Sequence, residues 1–470
     1  MSVADDMMEK PYPTETPYPS PRYAWYVVAV LTLLSVFSLL DSYILSLLVQ
    51  PIRRDLDISD TQMSLLLGFS YAVFYGLFGV VLGRLADSWN RRNLIVVGCT
   101  LWSLVTAGCG LARTYAQLLL LRMGLGVGEA TMTPAGYSLI TDYFPKERLA
   151  TAMSVFSMSI HIGQGLAYIL GGLAIGLVAS HGMTMLPIVG AIRPWQIIFF
   201  IIGLPGLLLA LLMYTVKEPA RRDARVVKTA GKLTAAEATP REVARYFFKN
   251  KGALICHMVG FGLIAATSYT VWGPSIFMRN YGWSAAQTGV VYGLETSIVG
   301  ILGVLAGGFS ADWLAKRGYR DANMRVGLIA TLAWFPTGVL FPLMPTAGWA
   351  VVLLIPTYFF SGAPWGAAAA ALQQLMPNSM RGQATGVYRL LLYFISGGIG
   401  PTLIAVTTDY LFHDDHALKY SLVIVGSLAH LASAVLLWKG LKYFRDSLDR
   451  MTTWTTDPTT TATVFAIHER

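Results

Sequence analysis

The sequence predicts an all-α integral membrane protein, with twelve transmembrane helices arranged as two homologous six-helix bundles around a central cavity. Three observations carry that expectation: a lipid-compatible composition, twelve long apolar runs, and a duplicated set of loop motifs. Of 470 residues, 54% are hydrophobic and only 13% charged, with a mean hydropathy of +0.54. Soluble proteins carry charge on about 25% of their residues. The shortfall excludes a soluble multidomain enzyme, a disordered chain and a disulfide scaffold. Cys99, Cys109 and Cys256 all sit inside apolar runs without pairing or metal spacing, so they read as small buried hydrophobes.

Runs of about 18 or more apolar residues mark membrane spans. They fall at about 26–48, 63–82, 94–111, 115–140, 150–179 and 195–216, then at 252–277, 288–309, 326–344, 349–376, 382–410 and 418–441. The spans group into an N-terminal bundle over 23–216 and a C-terminal bundle over 252–445, joined by a 217–251 linker. Residues 1–22 and 446–470 read as tails, the first an extended Pro-rich arm with no cleavable leader. Within the linker, Thr239-Pro240-Arg241-Glu242 is a capping box, and the residues after it suit a short amphipathic helix on the membrane surface.

Charge bias sets the orientation. With both termini inside, 27 of the 35 Lys and Arg lie on the inner side, six on the outer side, and Arg122 and Arg389 within spans. By the positive-inside rule both termini are cytoplasmic. The net charge of +9 is therefore explained by topology and anionic headgroups, and no nucleic-acid partner is expected.

The duplication is read from two pairs of loops. Gly83-Arg84-Leu85-Ala86-Asp87-Ser88-Trp89-Asn90-Arg91-Arg92 follows span 2, and Gly308-Phe309-Ser310-Ala311-Asp312-Trp313-Leu314-Ala315-Lys316-Arg317 follows span 8, at an offset of 225. Pro145-Lys146-Glu147-Arg148 after span 4 is echoed by Pro377-Asn378-Ser379-Met380-Arg381 after span 10. Parallel repeats of this kind place a binding cavity between the halves near the midplane.

Gly-x-x-x-Asp followed by two arginines, repeated after the eighth span, resembles the signature loop of the major facilitator superfamily. Asp41, Ile58-Ser59-Asp60-Thr61-Gln62, Gly128-Glu129-Ala130, Tyr269-x-x-Trp272-x-Pro274 and Gly398-Ile399-Gly400-Pro401 resemble its spinster-like branch. Ser42 stands where that branch usually has Arg, and Ser88 and Asn90 replace the usual Arg and Gly of the loop. The resemblance implies a secondary transporter working by alternating access. It also implies gating loops built on Gly83, Asp87, Arg91, Arg92 and Arg148, with Gly308, Asp312, Lys316, Arg317 and Arg381 in the second half. The implied substrate is amphipathic and lipid-like, such as a lysolipid or a sphingoid phosphate; a small organic anion such as a sugar acid is the alternative.

Charges within spans are costly and mark function. Away from the span ends they are Asp41, Arg122, Glu129, Glu295 and Arg389. Arg122 and Glu129, seven residues apart, share one face of the fourth helix. Two carboxylates for one arginine favour a shared proton over a neutral lock, so Asp41 and Glu129 are the proton-coupling candidates. Together with Arg122 they are also the substrate-binding ones. Glu295 either carries a proton or pairs with Arg389. Gly163, Gly165, Gly171 and Gly172 suggest a smooth helix face. His413-Asp414-Asp415-His416 reads as a solvated loop rather than a metal site.

No G-x-x-x-x-G-K-[ST], H-E-x-x-H or G-x-S-x-G is present, so neither ATP-driven transport nor hydrolysis is expected. The expected protein is not an enzyme and has no cofactor or metal. It uses a proton gradient, acts as a monomer in a bacterial inner membrane, and meets its substrate, protons and membrane lipids. A non-transporting receptor is the alternative of another class, and no extra folded domain supports it.

Overall fold

A computed structural model describes residues 18–179, 183–186, 190–219, 240–267, 269–377 and 380–456, without the side chains of a few helical residues such as Asp87. Residues 1–17 and 457–470 of the outer tails, most of the linker and Thr239 of its capping box lie outside the described residues. The last helix runs on to Thr456, which corrects the expectation that a tail begins at 446.

Twelve long helices cross the molecule. They are α1 (Pro21–Leu47), α2 (Asp60–Ala86), α3 (Arg91–Cys109), α4 (Tyr115–Glu129 and Met132–Tyr143), α5 (Val155–Val178) and α6 (Pro194–Met213), then α7 (Lys251–Asn280), α8 (Ala285–Lys316), α9 (Ala322–Leu343), α10 (Ala347–Leu375), α11 (Arg381–Phe412) and α12 (Asp415–Arg450). A short antiparallel hairpin, β1 (Thr184–Leu186) and β2 (Gly190–Ile192), separates α5 from α6. The helix Pro240–Lys249 precedes α7. Both ends of the bundle fall on one side, called here the terminal end; the opposite side is the far end.

Eleven of the helices are individually long and apolar enough to cross a membrane. The other is α4, which breaks at Ala130–Thr131. Pro134 lacks the N–H that would bond back to the Ala130 carbonyl, which accounts for the break immediately after Glu129. Large apolar side chains face outward around the bundle, among them Leu177 at 71% and Phe309 at 72% exposure. Such surfaces suit a lipid surround, not water.

Helix starts repeat with the duplication. Ser59 and Gln62 form a reciprocal capping box opening α2, and Ser284 and Gln287 form the same box opening α8. Thr114 caps α4 and Thr346 caps α10. The first pair stands 225 residues apart, the offset of the Gly-x-x-x-Asp loops.

The two sets of six helices meet mainly along α5–α8 and α2–α11. Backbones touch there without side chains between them. A Cβ on Gly289 would lie 2.2 Å from the Tyr168 carbonyl oxygen, and one on Gly68 would lie 1.8 Å from that of Gly397. Gly165 and Gly172 of α5 face this seam, while Gly163 and Gly171 pack on α1. Single π-helical turns interrupt α2 at Leu65–Phe69, α8 at Glu295–Gly300 and α11 at Phe394–Ile399. Such turns shift the register of the backbone bonds and often mark functional positions.

Candidate substrate and gating sites

Asp41 on α1 and Arg122 and Glu129 on α4 come together inside the first set of helices. Each is no more than 2% exposed. Thr106 of α3 donates its hydroxyl to Asp41 Oδ2, while Oδ1 has no hydrogen-bond partner among the described residues. Glu129 accepts from Tyr71 at 2.8 Å and from Ser42 at 3.1 Å. The Ser42 hydroxyl thus serves as a neutral donor where the spinster-like pattern places a cation. Arg122 is the cation acting on both carboxylates, and the two carboxylates act on each other.

Arg122 uses only part of its hydrogen-bonding capacity. Its Nε donates to the Leu66 carbonyl at 3.3 Å, within the π-helical turn of α2. Both terminal nitrogens are buried without a hydrogen-bond partner among the described residues. A guanidinium offers a planar fork matched to carboxylate or phosphate, and here the fork is unfilled. With all three groups ionised the site carries one net negative charge. One added proton would neutralise it.

At the far end a polar latch, which the sequence reading missed, joins the two sets. Asp60, fully buried at the start of α2, receives both terminal nitrogens of Arg279 from α7 at 2.6 Å each, and Arg53 at 3.2 Å. Arg53 also grips Asp415 at 2.6 and 3.1 Å. Thr61 donates its N–H and hydroxyl to Asp409 of α11, both at 2.6 Å. Burial works against the charge on Arg53, but the hydrogen bond to Asp415 and the nearby carboxylates hold its pKa above the ordinary guanidinium range. Oxygens of Asp60, Asp409 and Asp415 lie within 4.8 Å of one another, and the two guanidinium groups offset two of their three negative charges. Asp415 is therefore part of an interface between helix sets, although His413–His416 are exposed, as a solvated outer loop should be.

At the terminal end, Arg91 is 1% exposed and bound on three sides. It pairs with Asp142, with Glu218 at 2.7 Å, and with the Ser138 hydroxyl at 2.9 Å. Glu218 also accepts the Arg92 backbone N–H at 2.9 Å. These carboxylates offset the unfavourable position of two cations at the positive end of the α3 dipole. Asp142 and Ser138 belong to the first set of helices, and Glu218 follows on from its last helix. Among the described residues, the ion pairs that join the two sets, Arg53–Asp415 and Arg279–Asp60, both lie at the far end. Asp87's side chain lies outside the described residues; Gly83 sits beside Pro134, and Arg148 is exposed.

The second copy of the loop is built differently. Gly308, Asp312 and Lys316 are exposed, Arg317 stacks on Trp313 at 3.6 Å, and Arg381 bonds the Gln373 and Met376 carbonyls. Glu295 opens the π-helical turn of α8 with Oε2 unpartnered among the described residues, and Arg389 lies over the ring of Tyr137. The Glu295–Arg389 pair weighed from the sequence does not form.

The Major Facilitator Superfamily model matches residues 31–401. An MFS-type efflux pump of Mycolicibacterium smegmatis is 29% identical, over 91% of this chain and 95% of its own. A probable L-galactonate transporter of Escherichia coli is 27% identical, over 83% of this chain and 84% of its own. A solved bacterial homolog of the human lysosomal transporter spinster, inward-facing and unoccupied, superimposes with a TM-score of 0.72 at 24% identity. It covers 92% of this chain and 98% of its own.

Proposed function

Since this chain belongs to the Major Facilitator Superfamily and is a multi-pass membrane transporter, we propose that it carries an organic anion by proton-coupled alternating access. The observation that carries the reading is the unfilled fork of Arg122, buried between Asp41 and Glu129. A carboxylate or phosphate would occupy the fork. A proton on Asp41 or Glu129 would remove the competing negative charge. Release of both toward the other side resets the site, and the next cycle begins.

With the positive-inside orientation, in a bacterial inner membrane, the terminal end is cytoplasmic and the far-end latch closes the outside. One chain carries the whole site, which supports action as a monomer.

The walls favour a compact hydroxylated acid. Ser42, Tyr71, Thr106 and the Tyr75–Thr133 hydroxyl pair surround the charged groups, so the walls there are polar. The relative whose name gives L-galactonate as its substrate supports the same class. An amphipathic, lipid-like anion is the second reading, favoured by the spinster-like motifs around Asp41 and Glu129.

Chain length separates the two. Carboxylates with a fixed head and graded alkyl chains are titrated calorimetrically against purified protein, beside L-galactonate. The compact-acid reading predicts that L-galactonate binds and that affinity is flat or falls with chain length. Tightening by up to ~0.8 kcal/mol per methylene would overturn it in favour of the lipid-like substrate.

A further inference from the structure

Arg389 is a membrane-depth cation that the proposed cycle leaves unused. It lies on α11, with its guanidinium 5.5 Å from the centroid of the Tyr137 ring on α4. Tyr75 of α2 and Tyr393 of α11, with centroids 4.8 Å apart, also act on its charge. Among the described residues no carboxylate pairs with it. Aromatic faces attract a guanidinium but recover only part of what dehydration costs, so the counter-charge is missing.

The same tyrosines lead back to the central site. Tyr75 stacks on Tyr71 at 5.4 Å, and Tyr71 donates to Glu129. At 1.5 Å per residue, Arg389 lies ~12 Å from the terminal end of its helix, Glu129 ~21 Å and Arg122 ~31 Å from that of α4. The two arginines therefore bracket the route from the middle of the protein to the terminal end. The second arginine sits on the second set of helices and its collar largely on the first.

We propose that Arg389 is a second anion-binding station, which takes the carboxylate or phosphate of the transported anion as it passes between Arg122 and the terminal end. This rests on the reading that Arg122 binds an anionic substrate. The station lowers the barrier to exchange with water at that end without setting affinity at the central site. It also makes exchange electrostatically steered, and hence sensitive to salt.

The test uses L-galactonate as probe with the full chain, alone and in proteoliposomes, comparing wild type with R122Q, R389Q and R389K. R122Q should lose galactonate binding. R389Q should keep its Kd within about twofold while counterflow exchange slows at least tenfold and loses its dependence on KCl. R389K keeps the charge and should recover the salt dependence with intermediate exchange, which holds the test open if R389Q does not fold. Unchanged exchange and salt dependence in R389Q would overturn the station, as would wild-type exchange rates in R389K where R389Q does not fold. So would loss of binding in R389Q, which would make Arg389 part of the central site. Failure of wild type to bind, or full binding by R122Q, would instead remove the anion reading on which the proposal rests.

Discussion

Asp60→Asn isolates the far-end latch. Asp60 is fully buried and is held by Arg279, itself 4% exposed, and by Arg53. Removing one member of a buried ion pair costs about 3–5 kcal/mol, because a buried charge is left uncompensated. The amide oxygen still accepts one hydrogen bond and Arg53 keeps Asp415, so the lower end, about 3 kcal/mol, applies. When the far end opens these groups meet water, so the loss falls on the far-end-closed state alone. At 1.4 kcal/mol per tenfold, the equilibrium moves about a hundredfold toward far-end-open, and a 99:1 population becomes nearly even.

Spin labels at the exposed positions Arg54 and Tyr420 report this opening by pulsed distance measurement, with the three buried cysteines replaced. A second, longer distance should appear in the variant. Asp60→Leu with Arg279→Met, which removes both charges, should restore part of the short-distance population. A distance distribution unchanged by Asp60→Asn would refute the argument that the latch holds the far end shut.

Arg122→Lys should weaken galactonate binding at least tenfold, because an ammonium group cannot reproduce the two-pronged contact; calorimetry measures it. If binding of the anion takes up one proton, the bound state holds more protons than the free one, so affinity rises as pH falls. The slope approaches about tenfold per pH unit and should flatten in Asp41→Asn or Glu129→Gln, read by titration across pH. Gly289→Leu places a side chain where even a Cβ meets the Tyr168 carbonyl at 2.2 Å, so exchange should be lost and the melting temperature should fall. Gly308→Leu, with open space around its Cβ, should leave both nearly unchanged.

The helices were legible because each span is a local property, an apolar run bounded by caps and charge. The candidate charges within α1 and α4 were legible for a similar reason, since an ionised group in an apolar run stands out without knowledge of its partners. The kink after Glu129 was also written locally, in Pro134. So were the paired caps at Ser59–Gln62 and Ser284–Gln287, which repeat at the offset of the loop motifs and strengthen the evidence for duplication.

Pairings across the fold were not legible. Asp60 and Arg279 are 219 residues apart, and Arg53 and Asp415 are 362 apart. From sequence these are loop charges on one side of a membrane. Only the packing of α2 and α7 and the placement of the final outer loop make them a latch. Arg91 likewise found Glu218, beyond α6, because the end of that helix returns beside α3. Arg389 met tyrosines in place of Glu295 because its side of α11 meets α2 and α4.

The measurement closest to the central claim compares gradient-driven accumulation with equilibrium exchange in the same proteoliposomes. With L-galactonate as probe, wild type should accumulate it under an imposed pH gradient and also exchange it without one. In Glu129→Gln and Asp41→Asn the account predicts that accumulation is lost, because an amide cannot cycle a proton, while exchange persists in at least one of them. Undiminished gradient-driven accumulation in both variants would contradict a proton-coupled site built on Asp41, Arg122 and Glu129.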